Sequence, residues 1–95
     1  MPLFLIRRDL GPASQADLDA ASIRALSCAF NYDGLRWLTS YWDGTDKIFC
    51  IYEALNEQQI IDHSAQSRIP CDEIRLVEQI DPDDYVEQVS TMANG

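Results

Sequence analysis

The segment spanning residues 35–54 constrains the fold more than any other, because it predicts a β-hairpin that holds most of the aromatic residues. Its sequence reads LRWLTSYWDGTDKIFCIYEA. The turn is expected at residues 43–46, where Gly44 tolerates positive φ and the aspartates can bond their own backbone. Aromatic and β-branched residues predominate on both sides of this turn, as they do in strands. We therefore expect two antiparallel strands joined at Gly44.

A symmetric turn predicts which residues of the two strands face each other. It places Arg36 opposite Glu53, and this match of opposite charges supports the register. The remaining pairs are Leu38 with Ile51 and Ser40 with Phe49 on one face, and Trp37 with Tyr52, Thr39 with Cys50 and Tyr41 with Ile48 on the other. Neither face is polar, whereas a strand pair with one solvated face alternates apolar and polar residues. Both faces are therefore expected to need cover.

The rest of the chain predicts two helices and two outer strands. Residues 3–8 and 72–79 are typical of strands, the second with Ile74, Leu76 and Val77 inside. A capping box at Ser14 begins a helix that extends to about Tyr32, and Asn56 begins a second helix, which ends before Pro70. The expected inner stripes are Leu18, Ile23, Leu26, Ala29 and Phe30 on the first helix, and Ile60, Ile61, Ser64 and Ala65 on the second. Residues 81–89 predict a short helix, and residues 90–95 are expected to fray.

The element order β-α-β-β-α-β predicts an α+β protein with the ferredoxin-like fold. This fold has a four-stranded antiparallel sheet with two helices on one face. Residues 1–80 are expected to form this domain, and residues 81–95 a C-terminal extension. Because the uncovered face of the sheet is apolar, we expect a homodimer that packs sheet to sheet as a dimeric α+β-barrel-type assembly and encloses a cavity. Cover by the C-terminal tail is the alternative.

Composition limits the classes of function. The chain has 95 residues, which suffices for one domain, and its formal net charge is −9. This charge argues against nucleic acid, whose binding proteins need a basic surface, and against adhesion to anionic membranes. The cysteines, Cys28, Cys50 and Cys71, are odd in number and contain no Cys-x-x-Cys pair. A cytoplasmic protein without a disulfide framework is therefore expected.

Aromatic and basic residues of the predicted sheet are the candidates for a ligand site. Trp37, Tyr41 and Tyr52 are expected to form an aromatic wall, which suits a flat apolar ligand. Arg7 and Arg8 end the first strand and point to opposite faces. One of them is expected at the mouth of the cavity, where a guanidinium could hold a carboxylate.

Two further residues could bind a metal or carry a proton. His63 is the only histidine, and helical spacing places it off the expected inner stripe of the second helix. Cys50 lies in the middle of a strand, where it is either a small core residue or a thiol that faces the cavity. A single histidine needs Cys or carboxylate partners from other elements to form a metal site.

Several stretches of the chain resemble a small bacterial family, DUF4242. They are the opening MPLFLIRRDLG, the segment GLRWLTSYWDGTDKIFCIYEA, and IIDHSAQ followed by PCDEIRLVE, which together span about residues 1–79. The characterised member of this family is a nickel-binding protein with a dimeric ferredoxin-like fold. The resemblance therefore implies that fold, a homodimer, and nickel or another divalent transition metal as cofactor. It makes His63 and Cys50 the matching metal positions.

The chain departs from this family in its histidines. Family members carry histidines near the positions of Arg8, Ile23 and Ser67, whereas this chain keeps only His63. Because nickel favours nitrogen ligands, the missing imidazoles predict weaker metal binding.

Three functions are compatible with these features. The first is a non-enzymatic binding protein, a homodimer whose cavity takes a small ligand or a weakly bound transition metal. The second is a dimeric α+β-barrel enzyme that acts on a small apolar or aromatic substrate, with Arg7 or Arg8 and His63 as polar groups. That enzyme would need Arg8 and His63 within hydrogen-bond distance of one cavity. The third is an interaction domain whose open sheet binds another protein.

Overall fold

The computed structural model describes residues 1–89 of the 95-residue chain. Its elements, in chain order, are β1 (Leu3–Asp9), α1 (Gln15–Ala29), β2 (Arg36–Trp42), β3 (Lys47–Glu53), α2 (Glu57–Ser67) and β4 (Glu73–Val77). The strands form one antiparallel sheet in the order β2-β3-β1-β4. This arrangement confirms the predicted α+β fold with β-α-β-β-α-β order.

After β4 the chain forms a short helix, as predicted for residues 81–89. A 3₁₀ helix at Pro82–Tyr85 continues as a helical turn over residues 86–89. Fraying was predicted for residues 90–95, which lie outside the described residues. The predicted division into a domain of residues 1–80 and an extension of residues 81–95 stays a prediction. No helix within residues 1–89 is long and apolar enough to cross a bilayer.

The β2–β3 hairpin keeps the predicted register only at its open end. Arg36 pairs with Glu53 and Trp37 with Tyr52, but a bulge follows Trp37. Beyond this bulge the pairs are Thr39 with Ile51, Ser40 with Cys50, Tyr41 with Phe49 and Trp42 with Ile48. A strand that gains one residue turns the following side chains to the opposite face. The predicted pairing from residue 38 onward is therefore wrong.

The turn itself explains this bulge. The backbone N–H of Asp43 donates to the carbonyl of Lys47 at 3.1 Å, so the loop spans residues 44–46 and is one residue longer than a symmetric turn. The Asp43 carboxylate accepts backbone N–H groups of Thr45 and Asp46 at 2.9 and 3.0 Å. The hydrogen bonds from backbone N–H groups, first that of Thr45, lower the pKa of Asp43. The bulge compensates for the extra loop residue and preserves the ion pair at the open end.

Helix α1 begins where the sequence predicts and buries small residues. Ser14 caps it, and a capping box with Asp17 joins the two side chains to each other's backbone N–H. Ala25 is its buried residue. Three members of the predicted inner stripe are instead exposed, namely Ile23, Leu26 and Phe30, the last at 86%. Leu18 and Ala29, the other two members of that stripe, are partly buried against the core.

Removal of the cap at Ser14 should destabilise the protein. We expect Ser14→Ala to lower the free energy of unfolding by about 1 kcal/mol, because the N–H of Asp17 loses its acceptor at 3.1 Å. Ser27→Ala is the matched control, since Ser27 is exposed within α1 and alanine favours a helix there. Urea unfolding measures both variants. Equal stability of the two would contradict the role of the cap.

Helix α2 buries a polar stripe that sequence patterning did not identify. Its buried residues are Ile60, His63, Ser64 and Ser67. These positions follow the spacing i, i+3, i+4, i+7 of one helix face. The predicted stripe is wrong in its other members, since Ile61 and Ala65 are exposed. In β4, Ile74 packs against the core, whereas Leu76 is 69% exposed.

The two faces of the sheet differ in their environment. Alternate residues of β1, namely Phe4, Ile6 and Arg8, are buried on the face that both helices cover. The opposite face, here called the open face, has a half-buried apolar centre formed by Leu5, Phe49 and Ile51. Ion pairs lie beside this centre, Arg36 with Glu53 at 3.5 Å and Arg7 with Glu73 at 2.8 Å. The open face thus combines an apolar centre with a charged rim.

Candidate functional site

A small cavity lies between α1 and the helix-covered face of the sheet. Its volume is about 30 Å³, so it can take only a molecule of a few non-hydrogen atoms. It is lined by Arg8, Leu10, Leu18, Ala21, Ser22, Ala25, Trp37, Ile48, Cys50, Tyr52 and Ile69. Four residues predicted for the site are brought together here, namely Arg8, Trp37, Cys50 and Tyr52. They lie beneath α1, on the helix-covered face of the sheet, and not on the open face, where a cavity between two sheets was predicted. We call this space the Arg8 cavity.

Arg8 is the most unusual side chain of the cavity. It is 2% exposed, although arginine is rarely buried without a partner of opposite charge. Its Nη1 donates to Ser64 Oγ and to the carbonyl of Pro70, both at 2.8 Å. Its Nε and Nη2 are buried and have no hydrogen-bond acceptor within residues 1–89. In the same range, no acidic side chain forms a salt bridge with it.

The aromatic residues of the cavity form a stack beneath this guanidinium. The rings of Trp37 and Tyr52 are nearly parallel, at 10°, with centroids 6.3 Å apart. The Arg8 guanidinium lies 5.7 Å from the centroid of the Tyr52 ring, within the range of a cation–π contact. Burial raises the pKa of Tyr52 to about 12, although the charge of Arg8 opposes the shift. Tyr52 is therefore a neutral phenol at physiological pH.

His63 lies behind Tyr52 rather than in the cavity. It is fully buried, and its Nε2–H donates to the carbonyl of Ala25 at 2.8 Å. Its ring contacts Tyr52 and Tyr32, with centroids 5.6 and 5.8 Å away. Its Nδ1 is buried without a partner among the described residues. Burial lowers the pKa of His63, and the charge of Arg8 adds to this effect. The expectation of an exposed or flanking histidine is thus wrong, and His63 does not line the cavity with Arg8.

Within residues 1–89, the side chains do not form a nickel site. Cys50 lines the cavity, whereas His63 lies outside it, and only the unprotonated Nδ1 of His63 has a lone pair to offer a metal. Residues 1–89 contain no cluster of three or more histidine, cysteine, aspartate or glutamate side chains that could hold a metal ion. The uncompensated charge of Arg8 would also repel a divalent cation in this space. The donor set therefore fits an anion better than a metal.

The two remaining predicted site residues lie on the open face. Arg7 forms ion pairs with Glu73 at 2.8 Å and with Asp9 at 3.3 Å. Tyr41 is 65% exposed there, because the bulge in β2 turns it away from Trp37 and Tyr52. The predicted aromatic wall of three residues is wrong in this member. Only two of its rings share a cavity.

Sequence reasoning missed the groups that hold Arg8 in place. Ser64 and the carbonyl of Pro70 fix its Nη1. The period of two in β1 could have identified the buried arginine, because Arg8 follows Phe4 and Ile6 on one face. The carbonyl of Pro70 has no signature in the sequence.

Comparisons with known proteins show the family of the chain and a solved structure with the same fold. A family model described as "Nickel responsive protein SCO4226-like" matches residues 4–77. The crystal structure of SCO4226 from Streptomyces coelicolor A3(2) superposes with a TM-score of 0.73 at 15% sequence identity. The match covers 83% of this chain and 99% of that chain. At this identity the structural likeness shows the fold alone. No curated protein matches the sequence.

Proposed function

Since the chain belongs to the nickel-responsive SCO4226-like family, as its resemblance to DUF4242 anticipated, we propose that it is a small non-enzymatic binding protein. It acts as a homodimer and takes a small ligand in the Arg8 cavity. The observation that carries this proposal is the cavity itself, where a buried guanidinium, a thiol and an aromatic stack meet. The free cysteines favour a reducing compartment, such as the cytoplasm.

The titratable groups near the cavity support binding rather than catalysis. General acid–base catalysis works best when a group changes protonation near the operating pH. Burial raises the pKa of Tyr52 to about 12. His63 lies outside the cavity and uses its N–H on Ala25. Tyr52 is therefore not suited to acid–base catalysis at neutral pH, and His63 does not line the ligand site.

Tryptophan fluorescence can test whether the cavity takes a ligand. Trp37 lines it, and Trp42→Phe leaves Trp37 as the sole tryptophan, because the chain has two. We expect at least one class within a panel of small neutral, cationic and anionic solutes to change Trp37 emission saturably. If no solute of any charge changes it, the ligand-binding proposal is wrong.

Nickel is expected to bind only weakly. The family name suggests responsiveness to nickel, but among residues 1–89 no group of three or more His, Cys, Asp or Glu side chains could hold a metal ion with His63 or Cys50. A calorimetric titration with Ni²⁺ should therefore give little heat in wild type and in Cys50→Ser alike. Saturable binding that disappears in Cys50→Ser would restore the metal role predicted for Cys50 and His63.

The open face supports assembly into a homodimer. Its apolar centre of Leu5, Phe49 and Ile51 lies between the charged pairs of Arg7 and Arg36. An apolar centre with a polar rim is the usual anatomy of a protein interface. A twofold partner that presents the same face would remove this centre from water.

A charge in the apolar centre should dissociate the dimer. We expect Phe49→Asp to raise the dissociation constant at least about 30-fold, as the loss of a central anchor residue does. Sedimentation velocity would then show a monomer with unchanged circular dichroism. Phe30→Asp is the control, because Phe30 is exposed at the C-terminal end of α1 and lies away from the open face. A wild-type monomer, or dissociation by Phe30→Asp instead, would contradict this interface.

A further inference from the structure

We propose that the ligand of the Arg8 cavity is a small monocarboxylate, held by the Nε and Nη2 atoms of Arg8. This inference rests on the proposed ligand-binding function and names the chemical class of the ligand. It starts from the two nitrogen atoms of Arg8 that have no acceptor within residues 1–89.

The unpaired nitrogens of Arg8 lie on one edge of the guanidinium. Nη1 uses its two hydrogens on Ser64 Oγ and on the carbonyl of Pro70. The hydrogen of Nε and the facing hydrogen of Nη2 are parallel donors in a fixed plane. Two parallel N–H donors match the two oxygens of a carboxylate, which is the bidentate geometry preferred by arginine. Residues 1–89 thus bind one end of the guanidinium and offer no acceptor to its carboxylate-binding edge.

The buried positive charge of Arg8 also favours an anionic ligand. A buried charge is costly unless a partner and hydrogen bonds compensate it. Within residues 1–89, the guanidinium is compensated only by neutral groups, namely the ring and hydroxyl of Tyr52, Ser64 Oγ and the carbonyl of Pro70. A monoanion would neutralise the guanidinium and satisfy both buried donors together.

The size and lining of the cavity limit the anion to a small one. A volume of about 30 Å³ excludes nucleotides and aromatic acids. The other lining residues are mostly apolar, with Ile48 and Ala25 among them, and suit a hydrogen or a methyl group next to the carboxylate. The net charge of −9 disfavours polyanions. Formate and acetate are the simplest ligands that meet these limits, and bicarbonate presents the same pair of oxygens.

The experiment compares carboxylates with their neutral amides in the Trp42→Phe protein at neutral pH. Formate and acetate should change Trp37 emission saturably, whereas formamide and acetamide should not. Bicarbonate is titrated separately, and the other titrations use buffer free of carbon dioxide. Binding of bicarbonate is thereby distinguished from binding of formate or acetate. Chloride tests whether charge alone suffices.

Arg8→Lys is the matched variant, because it keeps the positive charge and removes the paired donors. We expect it to weaken formate and acetate binding at least about tenfold, the usual cost of losing a charge-assisted hydrogen bond. The ¹⁵N-bound Nε proton of Arg8 should shift on binding in the parent protein, which locates the anion even if the variant fails to fold. Tighter binding of chloride than of the carboxylates, or equal binding of the amides, would overturn this inference and leave the ligand-binding function standing. If no solute changes Trp37 emission, both the carboxylate inference and the proposed ligand-binding function are wrong.

Discussion

Tyr52→Ala should lower the free energy of unfolding by about 4 kcal/mol, the range observed when a buried aromatic ring is removed. Tyr52 is 1% exposed, and its ring contacts Trp37, His63 and Arg8. Few core residues touch so many groups of the candidate site. Because domains of this size are marginally stable, such a loss would unfold a large share of the protein near physiological temperature. Urea unfolding followed by circular dichroism measures it.

Two variants show whether the ring of Tyr52 or its hydroxyl is responsible. Tyr52→Phe keeps the ring and should cost less than half as much as Tyr52→Ala. Tyr85→Ala removes an exposed tyrosine and should change stability by no more than about 0.5 kcal/mol. If Tyr52→Phe were as destabilising as Tyr52→Ala, the ring contacts would not be the cause, and the site would depend on the hydroxyl group.

The fold could be predicted from local signals that agree with one another. The capping residues Ser14 and Asn56 fix the starts of both helices, and the hairpin residues fix the strands between them. The register of the hairpin could not be predicted to its end. It depends on a hydrogen bond between Asp43 and Lys47 that makes the loop one residue longer. The one-residue shift places Tyr41 and Trp37 on opposite faces of the sheet, so the predicted aromatic wall does not form.

The candidate site was only partly predictable, because its key residues are polar and buried. Hydrophobic patterning favoured Ile61 over His63 for the inner face of α2, although His63 has the spacing of that face with Ile60. Burial of His63 is possible because the carbonyl of Ala25 accepts its proton. Such a partner comes from another helix and leaves no trace in the local sequence. Polar residues at core spacing therefore deserve equal weight with apolar ones.

A second positive charge beside Arg8 in the protein interior, as on protonated His63, is expected to destabilise the fold. Both contact the ring of Tyr52, and the charge of Arg8 helps to lower the pKa of His63. Protonation of His63 would add a second buried cation near the first. His63 therefore binds a proton less readily in the folded protein than in the unfolded chain.

Acidification should accordingly destabilise the wild-type protein before its carboxylates protonate. The unfolded chain binds a proton at His63 below the ordinary pKa of 6.5, whereas the folded chain, whose pKa is lowered by burial, does not. The unfolded state then carries more bound protons, so the free energy of unfolding falls as pH falls. The loss approaches about 1.4 kcal/mol for each pH unit, and it ends once the pH passes below the folded pKa.

The matched variant for this prediction is His63→Gln, which does not titrate and whose amide can still donate to the carbonyl of Ala25. The chain has one histidine, so this substitution removes its only imidazole. Tyr52, which faces the ring of His63, does not change charge in this range, since burial raises its pKa to about 12. The exposed carboxylate of Asp17, whose pKa its bonds to Ser14 lower, contributes only at more acidic pH. Urea unfolding between about pH 7.5 and 5 should therefore give a sloping stability for wild type and a nearly flat one for His63→Gln. Parallel slopes would mean that His63 takes up its proton in the folded state as readily as in the unfolded one, and that its burial does not exclude charge.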